Sequence, residues 1–197
     1  MATYLRDLNA GNHSVLEANF LAARRTGQVK AQLPLGDDFQ LDEPVENGVF
    51  LRYDMADKEV KKPGASNPEN VAQLMLHFSV EKEYDNIRPG LNTFAIYKQG
   101  SVGTVHQGTP YPRLFQPHVG DVFTTDAIRI SDSDLTGDDI QGAWDAISVG
   151  DSHPVDEDGY INCTTTTTGT GIQLTLLEKT TLPNGGEAGK FAVSVVA

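Results

Sequence analysis

"YPRLFQPHVGDVFTTDAI", residues 111–128, decides the fold. A histidine close to an acid, His118 and Asp121, is raw material for a site. The same letters also spell two short strands and the turn between them. Pro112 and Pro117 break the segment and Gly120-Asp121 is turn chemistry. Val122, Thr124 and Asp126 then alternate at the period of a strand. Tyr111, Leu114 and Phe115 read as packing and residues 122–130 as paired strands. The stretch is therefore architecture, and the same grammar recurs on both sides of it.

"LMLHFSV" places Leu74, Leu76, Phe78 and Val80 on one face and Met75, His77 and Ser79 on the other, the pattern of a half-buried strand. "GQVKAQLPL" sets Val29, Ala31 and Leu33 against Lys30 and Gln32. "GIQLTLLEK" supplies Ile172, Leu174 and Leu176, and "FAVSVV" supplies Phe191, Val193 and Val195. Between these last two lies "PNGGEAG", so residues 172–197 predict a hairpin with a longer loop. Shorter runs at Val49–Tyr53, Phe94–Tyr97, Val122–Thr125, Ala127–Ile130 and Ala146–Val149 add strands. Asn47-Gly48, "RPG", "QGSVG" and "DEDG" supply turns. "YINC" is expected to run into a β-edge or bend through "TTTTTGTG", 164–171. Short strands at regular spacing predict a mostly β fold, an antiparallel barrel or sandwich with at most one or two short helices.

One helix is expected near the start, where Ser14 and Glu17 have the spacing of a capping box and Gly27 ends the run. A second helical turn is expected within "SDSDLTGDDIQGAWD", 131–145, with Trp144 as a core anchor. Residues 54–70, "DMADKEVKKPGASNPEN", read as an exposed loop. The organisation expected is an N-terminal arm, 1–35, and a β-rich body, 36–197, which divides into two small β units if a boundary falls near 85–92.

The 197 residues carry a formal net charge of −12. Residues 1–35 hold four basic and two acidic side chains, a net of +2, and the remainder holds eleven basic and twenty-five acidic ones, a net of −14. Such a body repels phosphate at long range, which argues against nucleic acid as a partner. No run approaches 18 apolar residues, so no membrane-spanning helix is expected, and the first residues lack the pattern of a secretory signal. The one cysteine, Cys163, excludes an internal disulfide and reads as a buried thiol.

Candidate chemistry is sparse. Asp132, Asp134, Asp138 and Asp139 surround a glycine turn as calcium ligands do, but position 136 is Thr, Ala143 stands where a helix-loop-helix calcium site needs its bidentate carboxylate, and no paired helices are expected to flank the loop. The cluster reads instead as solvated, turn-capping acid. Of His13, His77, His106, His118 and His153, none belongs to a HExxH or His-x-His motif. His106 and His118 converge only if the strands close a barrel, and no third ligand is nominated. No serine sits in a GxSxG elbow and no glycine run cradles phosphate. A glycosidase-type carboxylate pair stays open among so many acids. Tyr97, Tyr111, Phe115, Trp144 and Tyr160 are the rings a sugar would stack on, which keeps a carbohydrate- or receptor-binding β module as the alternative function.

"NGVFLRYD" (47–54), "YPRLFQPHVGDVFTTDAI" and "LPNGGEAGKFAVSVV" (182–196) together resemble small virion proteins of tailed bacteriophages, the capsid-associated, decoration or head-fibre-base proteins found beside the major capsid protein. The likeness spans about residues 25–197, and no collagen-like or coiled-coil shaft accompanies it. It implies a non-enzymatic, cofactor-free protein that binds and stabilises a capsid from outside, is made in the host cytoplasm, and has the major capsid protein and further copies of itself as partners. The contact residues expected are Arg6, Arg24 and Arg25 in the arm and Lys58, Lys61 and Lys62 in the 54–70 loop.

Overall fold

The computed structural model describes residues 1–9, 13–21, 23, 27–41, 43–64, 74–79, 95–98, 111–164 and 171–195. In chain order they form β1 (Thr3–Tyr4), a 3-10 turn (Leu5–Leu8), β2 (Leu16–Glu17), β3 (Val29–Lys30), β4 (Val45–Glu46), β5 (Phe50–Asp54) and β6 (Glu59–Lys61). There follow β7 (Leu74–His77), β8 (Ala95–Ile96), β9 (Leu114–Phe115), β10 (Val122–Thr125), β11 (Ile128–Ser131) and the helix α1 (Asp138–Ala146). The chain ends with β12 (Ser152–Pro154), β13 (Ile161–Asn162), β14 (Gln173–Thr181) and β15 (Glu187–Val195). The fold is mostly β and sandwich-like, with no closed barrel among the described residues.

Two five-stranded antiparallel sheets dominate. The hairpin sheet has the order β12-β14-β15-β10-β2 and the middle sheet the order β3-β9-β7-β5-β6. A three-stranded sheet, β1-β11-β13, and the pair β4-β8 complete the set. The expected C-terminal hairpin is present, with Leu174 opposite Val193 and Leu176 opposite Phe191. Val122–Thr125 forms β10 as expected and pairs with β15, Phe123 opposite Phe191. Trp144 is buried beside Ile140 on the inner face of α1, as its helical period requires.

The two sheets meet at Phe50, whose ring lies 6.2 Å from Phe123 across the interface, while Phe123 lies 6.4 Å from Phe191 within the hairpin sheet. Leu5, Leu16, Leu76, Trp144 and Leu174 join these rings in the larger core. The middle sheet has a second core behind it, made by Leu51, Met75, Tyr53 and Val60. Register explains the division: Phe50 pairs with Leu76 on one face, and Leu51 pairs with Met75 on the other. Met75 and His77, expected on a polar face, are both buried. A strand covered on both sides reads as a nearly continuous apolar run rather than an alternation.

Two turns depend on glycine. Gly159, at φ +97°, brings its backbone so close to Phe50 that an added Cβ would lie 2.1 Å from the carbonyl oxygen. Gly48, at φ +89°, packs on Thr125 in the same way. Both are left-handed positions that favour glycine, and both dock a turn against the sandwich.

Several expectations change. The 1–35 arm is not free of the body: β1 pairs with β11, β2 pairs with β10, and Leu5 and Leu16 are fully buried. The helix expected from Ser14 is instead extended at β2, because the Val15 N–H is taken by the Asp126 carboxylate and the Val15 carbonyl by the Thr125 hydroxyl. Those tertiary bonds replace the ones a helix would have used. Of the exposed loop expected over 54–70, residues 54–61 are instead the β5-β6 hairpin, bonded from Arg52–Lys61 to Asp54–Glu59 with its tip at 55–58 exposed, and residues 65–70 lie outside the described residues. Residues 146–149 close α1 and turn rather than extend. The 85–92 boundary and most of 164–171 lie outside the described residues, and the larger core draws side chains from both sides of that boundary.

If the first residues are part of the core, Leu5→Ala removes a fully buried side chain and costs about 3 kcal/mol. Urea unfolding measures it. An unchanged midpoint would restore the arm.

Candidate functional site

The densest group of polar side chains gathers round Glu46 on β4. Its side chain is entirely out of water. Arg6, from the 3-10 turn, makes an ion pair with Oε1. His13 Nδ1 lies 3.2 Å from the same oxygen, and the Tyr160 hydroxyl donates to Oε2 at 3.0 Å. Arg6 also donates to the Tyr160 hydroxyl at 3.2 Å, and its guanidinium lies over the Tyr4 and Tyr160 rings at 5.2 and 5.5 Å. Those two rings pack at 4.3 Å. Burial pushes the Glu46 carboxyl up, but the His13 hydrogen bond and the Arg6 charge outweigh it and hold the group below the usual carboxylate range. Burial and the neighbouring Glu46 push the Tyr160 hydroxyl well above its ordinary value.

Asp126 is the second buried carboxylate. Oδ1 accepts the Val15 N–H at 2.6 Å and Oδ2 accepts Asn9 Nδ2 at 2.9 Å. Asn9 is fixed in turn by both backbone groups of Glu187. Burial pushes the Asp126 carboxyl up to about 7, with the Glu46 charge adding and the two donors opposing. His77 is a third buried group. Its Nδ1 donates to the Glu46 carbonyl at 2.5 Å and its Nε2 accepts the Ser79 hydroxyl at 2.6 Å, while Ser79 Oγ accepts the Arg113 N–H. This relay fixes one neutral tautomer, and burial pushes the imidazole down to about 4.

A recess of about 360 Å³ opens beside Glu46. Tyr4, Tyr160, Phe39, Val45, Val49 and Leu51 line it, and the partly exposed Glu43, Lys62 and Asp158 form its rim. Lys62 reaches across the rim, with Nζ 2.5 Å from Glu43 and 3.3 Å from Asp158.

The basic residues expected at a partner surface fare differently. Arg6 turns inward to Glu46. Lys61 is tied to Asp57 and Asp54, and Lys62 to Glu43 and Asp158. Lys58 is exposed at the tip of the β5-β6 hairpin, at φ +59°. Arg24, Arg25 and His106 lie outside the described residues. His118 accepts a hydrogen bond from Gln28 at 2.9 Å. Asp138 and Asp139 occupy the first turn of α1, where carboxylates offset the helix dipole, and Asp132 pairs with Arg129. Among the described residues no group of three or more His, Cys, Asp or Glu is placed to hold a metal ion. Cys163 is buried and its thiol is pushed far up by desolvation, which suits packing rather than nucleophilic work. Of the rings suited to sugar stacking, Trp144 and Phe115 are buried, Tyr160 is bonded to Glu46, Tyr97 is half-buried and Tyr111 stands in solvent.

Two outcomes are expected. Arg6→Met leaves Glu46 buried without its cation and costs about 2–3 kcal/mol after allowing for the partial exposure of Arg6, measured by urea unfolding. Loss below ~0.5 kcal/mol would show the pair to be dispensable. The second concerns pH. The folded state holds the Asp126 proton up to about 7 while the unfolded chain releases it near 3.8, so this group withdraws stability as pH rises through that window. His77 stays neutral in the fold down to about 4, whereas the unfolded imidazole protonates near 6.5, so its contribution is complete above 6.5 and is lost as pH falls. The two slopes oppose each other. Asp126→Asn removes the first alone, so the variant's stability climbs with pH between 4.5 and 6.5 more steeply than the wild type's, by up to ~1.4 kcal/mol per unit. Parallel pH profiles would contradict this assignment. Against protein-family models, curated proteins and solved structures alike, the chain finds no match.

Proposed function

We propose that this chain is a non-enzymatic structural protein of a bacteriophage virion, which attaches to the outside of the capsid shell through the major capsid protein and reinforces it. The resemblance of the three quoted segments supplies the family. The observation that carries the reading is an apolar surface at one end of the hairpin sheet. Phe20 is 69% exposed, Val119 60% and Val195 44%. The Phe20 N–H bonds the Val122 carbonyl and the Gly120 N–H bonds the Val193 carbonyl, so the three residues gather where β10 and β15 run out. Apolar side chains grouped in solvent favour a protein contact, and the acidic remainder keeps the unattached chain soluble.

The commitments of the reactive side chains favour the same reading over an enzyme. Glu46 is bound to Arg6, His13 and Tyr160, Asp126 to Asn9 and the Val15 N–H, and His77 to the Glu46 carbonyl and Ser79, while Cys163 is held as a thiol. Each of them supports a wall of the sandwich. Self-association into a cyclic oligomer belongs to this proposal, since shells offer local symmetry sites. A sugar- or receptor-binding role retains Tyr111 as its exposed ring.

The double substitution Phe20→Glu with Val119→Glu should abolish co-sedimentation with purified capsid shells and leave the urea midpoint within about 0.5 kcal/mol of wild type, as surface changes do. Undiminished attachment by a folded double variant would overturn the proposal.

A further inference from the structure

We infer that the recess beside Glu46 is a seat for an alkylammonium group, held in the isolated chain by Lys62 and taken on the virion by a lysine side chain of the partner protein. This deepens the capsid-attachment reading and rests on it for the source of that lysine. Size comes first: about 360 Å³ lies within the range of small-ligand pockets, roughly 300–1,000 Å³. Charge then selects the ligand. The lining carries three carboxylates, Glu43, Glu46 and Asp158, against two cations, Arg6 and Lys62. Arg6 is consumed at the floor by Glu46, which leaves two carboxylates and one ammonium at the rim. An incoming anion would meet the surplus carboxylate. An incoming cation is attracted by it, and the acidic body extends that attraction outward.

The seat is already shaped for an ammonium, because one occupies it. Lys62 Nζ sits 5.8 Å from the centre of the Phe39 ring, within reach of its negative face, and between Glu43 and Asp158. The rim carboxylates come from separate parts of the chain, the 39–46 segment and the 156–160 turn, so the spacing between them is set by the fold. The turn is held by Asp156, which accepts the N–H groups of Asp158 and Tyr160, and by the close approach of Gly159 to Phe50. Lys62, by contrast, hangs on four rotatable bonds just before Pro63 and Gly64. A flexible internal occupant in a rigid seat competes with an external one of the same chemistry, and its removal must strengthen external binding.

The test uses the full chain and Nα-acetyl-lysine methylamide as probe, with its neutral Nζ-acetylated analogue as control, followed by NMR shift titration. Lys62→Met is expected to lower the Kd for the charged probe at least tenfold relative to wild type, with no binding of the neutral analogue. Asp158→Asn added to Lys62→Met should reverse the gain. Lys62→Gln, closer in shape and polarity, gives the same comparison if the Met variant shows a lowered urea midpoint. Equal binding of charged and neutral probes, or no gain on removing the Lys62 ammonium, would overturn the inference. Because the shell-attachment test changes Phe20 and Val119 only, the two failures are distinct: probe binding without shell attachment sinks the capsid reading, and shell attachment without probe binding sinks the lysine seat.

Discussion

A carboxylate taken wholly out of water costs several kcal/mol unless cations and donors surround it. At Glu46 that demand is met by three residues from two parts of the chain far apart in sequence: Arg6 and His13 near the start, and Tyr160 in a late turn. The backbone of the same residue accepts from His77 on the middle sheet. One residue therefore ties the N-terminal segment, the β4 strand, the middle sheet and the 156–160 turn to a common point. A hydrophobic contact there would tolerate sliding. A buried carboxylate with fixed donors does not, because each displaced donor leaves an unmet charge. Asp126 repeats the device 80 residues on, fastening Asn9 and Val15 to the bend between β10 and β11.

This division of labour fits the two-core plan. The larger core is apolar and aromatic and sets the spacing of the two main sheets through Phe50, Phe123 and Phe191. The smaller core backs the middle sheet, and the polar ties around Glu46 lie beside it, through Val45, Val49, Leu51 and Tyr160. Burial on both faces of β5 and β7 is what forces His77 to be neutral and its partners to be specified. The same burial makes the site rigid, since a neutral imidazole with a set donor and acceptor has a single satisfied orientation.

The strands were legible because their signals are local. Turn glycines and period-two runs located β10, the β14-β15 hairpin and most of β5, and the helical spacing of Ile140 and Trp144 located the inner face of α1. What the sequence hid depends on partners at a distance. Ser14 and Glu17 carry a genuine capping-box spacing, yet Thr125 and Asp126 supply competing bonds from more than 100 residues away. The alternation in "LMLHFSV" was real, but nothing local told that the second face would also be covered. The site was less visible still. Glu46 and Asp126 are two acids among 27, and only the fold distinguishes them. The one available signal was weak: Glu46 follows an apolar Val45 and precedes Asn47-Gly48, an acid wedged where a strand enters a tight turn.

The fate of the basic residues links the interior to the surface. With 15 bases against 27 acids, each cation committed inside the structure is lost to the outward field. Arg6, Lys61 and Lys62 are all committed to carboxylates of the same chain. They bind their own fold, and of the two described bases in the first 35 residues Arg6 is neutralised by Glu46 while Lys30 lies over the Tyr53 ring. The chain keeps a net charge of −12, against which stand Lys58 at a hairpin tip and the exposed Phe20, Val119 and Val195. For the proposed attachment, a field of that sign favours a positively charged partner at long range, and the exposed apolar side chains supply short-range contact, which places affinity in the apolar residues and specificity in the field around them.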